Sequence, residues 1–348
     1  MFPKQVTSIL ERAVDAPDTT PPMFFWGPPG IGKSAIPKQV AHDKKIGFVD
    51  LRGPLLDPTD LRGIPTVLGD KAKWLPPSFL PTEGKGILFL DELASAPPLV
   101  QASMYQLTLD RAIGEYTLPD GWYIIAAGNR IEDRSVSYRM PTALANRFTH
   151  VNFEVNLDDW IDWAARVGHV NPNIIGFIRF KPDMLWAFNP ESSEKAFASP
   201  RSWDFASRMI KVAPTKLLPE ILNGTVGTGC TSEFMAFLKI QTELPPIDDI
   251  LSGLDFVPPK GRMDLRYAMI SALATRAKTE KIEKGKTVPD TTHFTRLIDF
   301  SESMEAEFGV LLVTMLIGKD QGLLLSCPNI DKWARCHSDV IVNKKELV

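Results

Sequence analysis

Two short stretches carry the residue types that phosphate chemistry needs. Gly27-Pro28-Pro29-Gly30-Ile31-Gly32-Lys33-Ser34 fits the phosphate-binding pattern G-x-x-x-x-G-K-[ST] at every fixed position. Glycines let such a loop fold into a nest whose N–H groups point inward at phosphate oxygens. Lys33 has the reach to meet β- and γ-phosphates, and the Ser34 hydroxyl is suited to ligate Mg²⁺. The expected nucleotide contacts are therefore Gly27, Pro28, Pro29, Gly30, Ile31, Gly32, Lys33, Ser34 and the adjoining Ala35. Four fixed positions coincide by chance in only about one or two chains per hundred of this size. The second stretch, Gly86-Ile87-Leu88-Phe89-Leu90-Asp91-Glu92, is an apolar run that ends in two carboxylates. Asp91 is placed to share the Mg²⁺ shell with Ser34, and Glu92 to polarise an attacking water as general base. Asn129 follows a third apolar run, Trp122 to Ala127, as a polar side chain able to orient that water.

These residues need strands that end together. Met23 to Trp26 reads as a buried strand running into the loop. A helix opening at Ser34-Ala35-Ile36 and running to about His42 adds positive potential beneath bound phosphates. Pro37 falls in its first turn, where a missing N–H costs little. The 86–90 run predicts a strand buried on both faces of a parallel sheet, with its carboxylates at the C-terminal edge where open α/β sheets bind ligands. Further strands are expected at 46–51, 113–118, 122–127 and 150–153, with helices at 4–14, 97–110 and 143–148. A Gly69-Asp70 turn between 64–68 and 71–75 predicts a small hairpin. Arg147, in the closing turn of the 143–148 helix, is expected to point away from the chain's own phosphate loop. Beyond residue 155 the pattern turns helical, at 158–167, 174–180, 200–212, 231–241, 265–277, 291–307 and 310–317. Pro245-Pro246 and Pro258-Pro259 bracket an expected linker, and the mixed charges of 278–286 predict a solvated connection.

This order of parts resembles the AAA+ ATPases, and within them the MoxR-like family, over about residues 20–210. Gly27 to Ser34 matches Walker A, Leu88 to Glu92 matches Walker B, and Asn129 matches sensor 1. Arg147, in Asn146-Arg147-Phe148, matches the family's arginine finger, and Arg201, in Ala198-Ser199-Pro200-Arg201, its sensor 2. Residues 64–76 and 112–126 look like the family's two hairpins. The resemblance implies an α/β parallel-sheet P-loop NTPase core over 1–155, an α-helical lid over 156–244 and a helical C-terminal extension over 245–348. It implies hydrolysis of ATP with Mg²⁺ in a homo-oligomeric ring, usually of six, and a protein partner of the kind that carries a von Willebrand factor A domain. The chain departs from the family in three places. No Gly-Gln segment precedes Phe24, Leu93-Ala94-Ser95 stand where Ile-Asn-Arg is frequent, and Arg130 stands where a proline is usual.

Composition narrows the alternatives. The 348 residues are 44% hydrophobic and 23% charged, with a net charge of −3, which gives no bulk attraction to nucleic acid or anionic membrane. Three cysteines, Cys230, Cys327 and Cys336, suit reduced thiols and a cytoplasmic setting. No stretch approaches the ~20 apolar residues of a membrane span, and the N-terminus shows no signal peptide. A DNA-directed AAA+ motor is disfavoured by the charge and by the lack of a basic stripe in the sequence. A metal-chelatase motor subunit differs from the leading reading only in its partner. A nucleotide-gated scaffold is disfavoured because Glu92, Asn129 and Arg147 are all present.

Overall fold

The apolar runs of the first half become parallel strands. The computed structural model describes residues 1–133, 138, 140–189, 191–192, 194–283 and 286–337. It groups into two units, Met1–Val155 and Asn156–Val348.

In chain order the first unit holds α1 (Pro3–Ala13), β1 (Met23–Trp26), α2 (Ala35–Asp43), β2 (Gly47–Arg52), α3 (Pro58–Arg62), β3 (Ile64–Leu68), β4 (Lys71–Leu75) and β5 (Gly86–Asp91). Then come α4 (Pro98–Asp110), β6 (Ala112–Ile113), β7 (Tyr116–Thr117), β8 (Trp122–Gly128), α5 (Thr142–Ala145) and β9 (Thr149–Asn152). Five strands form one sheet in the order β2-β5-β8-β1-β9, and every neighbouring pair is parallel. All of β8 is buried, as is β5 up to Asp91, because helices cover both sheet faces. Charge cannot enter such a layer cheaply, so the acidic and polar groups begin where the strands end. The order also sets the site: β8 lies between β1 and β5, so Asn129 emerges between the phosphate loop and the carboxylates.

The hairpin expected at 64–75 forms, with Ile64 facing Leu75 and Leu68 facing Lys71. Ile64, Val67, Leu68 and Leu75 are all exposed on it. The second hairpin needs correction. Only Ala112–Ile113 and Tyr116–Thr117 pair with each other, whereas Trp122–Gly128 belongs to the central sheet. Arg111 enforces this split: its guanidinium donates to the carbonyls of Pro119 at 2.9 Å and Trp122 at 2.8 Å, folding the intervening turn back on itself.

The second unit holds α6 (Leu157–Arg166), α7 (Pro172–Phe180), α8 (Pro200–Val212), α9 (Leu218–Val226), α10 (Thr228–Ile240), α11 (Ile247–Ser252) and α12 (Met263–Arg276). A hairpin of β10 (Glu280–Glu283) and β11 (Lys286–Pro289) follows, then α13 (Thr292–Ser301), α14 (Ala306–Lys319), α15 (Gln321–Leu325) and α16 (Ile330–Cys336). The parallel α/β core is thus followed by a helical part.

Three expectations change here. The 278–286 stretch is not a plain connection but an antiparallel hairpin. The single helix read over 291–307 breaks after Ser301, where Ser303 turns back onto the Phe300 carbonyl and α14 starts afresh. The segment between the proline pairs is not a free linker: α11 starts at Ile247, with Pro246 as its N-cap, and buried Arg266 donates twice to the Pro258 carbonyl while pairing with Glu305. Helices before and after residue 245 share one core. Phe180 packs on Tyr267, whose hydroxyl donates to Glu307 at 2.7 Å, and Gln241 donates to the Ala268 carbonyl at 3.4 Å. The division anticipated at 244/245 therefore falls inside one packed unit.

Candidate nucleotide site

The loop after β1 is shaped by close approach. A Cβ on Gly27 would lie 2.7 Å from the Ile31 side chain and 2.8 Å from the Phe153 carbonyl, so no larger residue fits. Gly32 sits at φ +107°, open to a left-handed turn that other residues rarely adopt. Ser34 occupies the N-cap of α2, yet its hydroxyl makes no capping bond to the helix.

Lys33 bends back over the loop. Its ammonium donates to the Gly27 carbonyl at 2.6 Å, the Pro28 carbonyl at 2.8 Å and the Asn129 side-chain oxygen at 2.8 Å. The structure therefore joins residues 96 positions apart in the chain, the phosphate loop and the tip of β8. Because the Asn129 oxygen accepts from Lys33, its amide N–H groups face other partners.

Asp91 ends β5 opposite Arg52 of β2. Burial, then the charges of Asp50 and Glu92, hold its carboxyl above the ordinary carboxylate range, while the Glu92 N–H and Lys33 pull the other way. Asp50 was not singled out by motif. The period of β2 could have revealed it, since a strand residue two before Arg52 shares its face. Glu92 is exposed and sits in the left-handed region at φ +54°, its N–H donating to Asp91 Oδ1 at 3.0 Å. Such a conformation costs a non-glycine residue about 1–3 kcal/mol and is characteristic of functional turns.

The raised Asp91 value has a consequence for stability. A carboxyl whose folded value is raised binds more protons folded than unfolded, so stability falls as pH rises through that window. At neutral pH the ionised group is a net cost. Asp91→Asn, which keeps an oxygen to accept the Glu92 N–H, is expected to stabilise the fold and raise Tm. An unchanged or lowered Tm in a thermal melt contradicts this.

Arg147 lies two residues past α5. Its guanidinium stacks over the Tyr105 ring at 4.6 Å and donates to the Ala143 carbonyl at 2.7 Å, on the surface of its own unit. Arg201 is exposed in the first turn of α8, a helix capped by Ser199 and Ser202 and belonging to the second unit. The structure thus gathers Lys33, Asn129 and Asp91, sets Glu92 beside Asp91, and keeps Arg147 on the Tyr105 ring. The donor set suits the expected metal: a free hydroxyl and a carboxylate are oxygen ligands of the kind Mg²⁺ takes.

Comparison with known proteins bears on this geometry. The family model for the "ATPase family associated with various cellular activities (AAA)" matches residues 23–154. An uncharacterized AAA domain-containing protein of Schizosaccharomyces pombe is 29% identical over 116 residues, 31% of this chain and 14% of that protein. The Holliday junction branch migration complex subunit RuvB of Parabacteroides distasonis is 33% identical over 92 residues, 26% of this chain and 23% of that protein. The chain spans 14% to 23% of the length of these relatives. A solved mutant RuvB from Thermotoga maritima aligns with 84% of this chain and 93% of its own, at 16% identity and a TM-score of 0.41. No helix among the described residues is long and apolar enough to cross a membrane.

Proposed function

We propose that residues 23–154, which match the AAA ATPase family model, hydrolyse ATP with Mg²⁺ at the subunit interfaces of a ring, and that the chain uses the cycle to remodel or assemble a protein partner. The observation that carries the reading is the Lys33 ammonium, held between the phosphate loop and Asn129. Charged phosphate oxygens outcompete neutral carbonyls for an ammonium, so ATP draws Lys33 off Gly27 and Pro28. That exchange also releases the Asn129 side chain to orient water against the γ-phosphate. Ser34 and Asp91 would hold Mg²⁺, which supplies neutralisation of charge on the β- and γ-oxygens. Glu92 takes the proton of the attacking water. Arg147 meets the neighbouring subunit's γ-phosphate, and Arg201 is the residue that the resemblance makes sensor 2.

The finer placement among MoxR-like proteins, with six subunits and a von Willebrand factor A-domain partner, is supported by the order of motifs and the exposed apolar hairpin at 64–75. A metal-chelatase motor differs from it only in partner. Lys33→Ala tests the nucleotide site. ATP affinity should fall at least about tenfold, equivalent to about 1.4 kcal/mol, and unchanged affinity in calorimetry removes the site assignment.

One observation favours a second reading, a DNA-directed motor. No basic stripe is evident along the chain, yet α8 exposes Arg201, Phe205, Arg208 and Val212 at helical spacing along one face, with Lys211 beside them. Asp204 pairs with Arg208 and offsets part of that charge. A steep fall of duplex affinity with salt, sensitive to Lys211→Glu, separates this reading from the first.

A further inference from the structure

We propose that His150 is a positioning residue, one that ties the strand feeding the phosphate loop to the helix end that presents Arg147. The proposal rests on the reading of Arg147 as a finger for a neighbouring subunit.

Trp26 is the last residue of β1 and directly precedes Gly27. Its indole Nε1–H donates to His150 Nδ1 at 2.8 Å. An indole N–H only donates, so Nδ1 must carry the lone pair and Nε2 the proton. Nε2 then donates to the Ala145 carbonyl at 2.8 Å, a geometry that a carbonyl acceptor requires. One neutral tautomer satisfies both bonds, and the imidazole becomes a fixed strut.

Its far end holds an element with little else to hold it. α5 is a single turn, Thr142–Ala145, with Leu144 as its buried residue. A turn this short has no stability of its own. Ala145 is its last residue; its carbonyl accepts from the Phe148 N–H at 3.2 Å, and His150 adds a side-chain donor to the same oxygen at 2.8 Å. Arg147 follows two residues later, and Phe148 then enters the core, edge-on to Phe24 at 5.3 Å. The backbone on either side of Arg147 is therefore held by the His150 bond before it and Phe148 after it, while its guanidinium rests on Tyr105 and the Ala143 carbonyl. Trp26 stacks on Phe24 at 4.2 Å, so the same aromatic group braces β1 at the entrance to the phosphate loop. Neither motif nor periodicity marks His150. Its role arises from β9 lying beside β1 in the sheet.

Two variants of His150 separate the two bonds. Glutamine keeps a donor near the Nε2 position and can still hold Ala145. Asparagine keeps an acceptor near the Nδ1 position and can still hold Trp26. In the full-length protein, His150→Asn should lower kcat about fivefold or more, an effect on the scale of one hydrogen bond. His150→Gln should stay within about twofold of wild type. ATP affinity should be unchanged in both, which also reports that both fold. In an Arg147→Ala background neither variant should lower kcat further. Wild-type turnover of His150→Asn overturns the proposal. So does an equal fractional loss in the Arg147→Ala background, or a parallel loss of ATP affinity, which would mean that His150 acts on the phosphate loop through Trp26. Arg147→Ala measured alone keeps the two levels apart: normal turnover there removes the finger reading itself, and with it this proposal.

Discussion

Arg147→Ala is expected to slow ATP hydrolysis by about 10³-fold while each subunit's own ATP affinity stays near wild type. The size follows from where the charge acts. A guanidinium aimed at oxygens that gain charge in the transition state contributes far more than one meeting a ground-state ligand. Arg147 leaves the chain between α5 and β9, and its stack over Tyr105 keeps the guanidinium half-buried and oriented. A purely structural arginine predicts something else. Its bond to the Ala143 carbonyl and its ring contact are each worth about 1 kcal/mol. Their loss would lower Tm by a few degrees and leave turnover within a small factor. Steady-state rates and a thermal melt on one preparation separate the two outcomes.

Glu92→Gln should cut turnover by roughly 10²-fold or more with ATP affinity retained. The substitution removes the base without disturbing the turn. Glutamine occupies the same left-handed conformation at the same cost, and the backbone N–H that donates to Asp91 is untouched. The side chain is exposed at the end of β5, open to a water. Removing one negative charge also relieves the buried Asp91 carboxyl, so a small gain in stability should accompany the loss of turnover. If affinity and turnover fall together, Glu92 serves the metal or the fold instead.

Local signals in the sequence point to the residues that the fold brings together at the candidate site. The G-x-x-x-x-G-K-[ST] pattern and the apolar run before Asp91 each sit within a few residues, and both ended up at the C-terminal edge of the sheet. Asn129 was found by its place after a strand, and its bond to Lys33 shows why that place matters. What escaped depends on long-range packing. Asp50 became relevant through the neighbouring of β2 and β5, and His150 through that of β1 and β9. The second hairpin is shorter than the sequence suggests: Trp122 to Ala127 is a continuous apolar run and takes a central place in the sheet, leaving only 112–117 to pair as a hairpin. In the helical part, proline pairs suggested a linker, but a buried Arg266 bonded to the Pro258 carbonyl turns that segment into part of the core. The stretch at 278–286 looked solvated from its charges and is solvated, yet it pairs as a hairpin, since backbone bonding is indifferent to exposed side chains. Arg139, which neighbours these motifs in sequence, lies outside the described residues.

The measurement that bears most directly on hydrolysis between subunits is a mixing experiment. Lys33→Ala and Arg147→Ala subunits should each be nearly inactive alone, the first for want of the lysine that grips the phosphates, the second for want of the finger. When co-assembled, some interfaces join an intact phosphate loop to an intact finger. The account predicts that ATP turnover partly returns on mixing and rises with the fraction of mixed rings. If mixed rings form and no turnover returns, or if Arg147→Ala alone hydrolyses ATP at the wild-type rate, a shared active site between neighbouring subunits is contradicted.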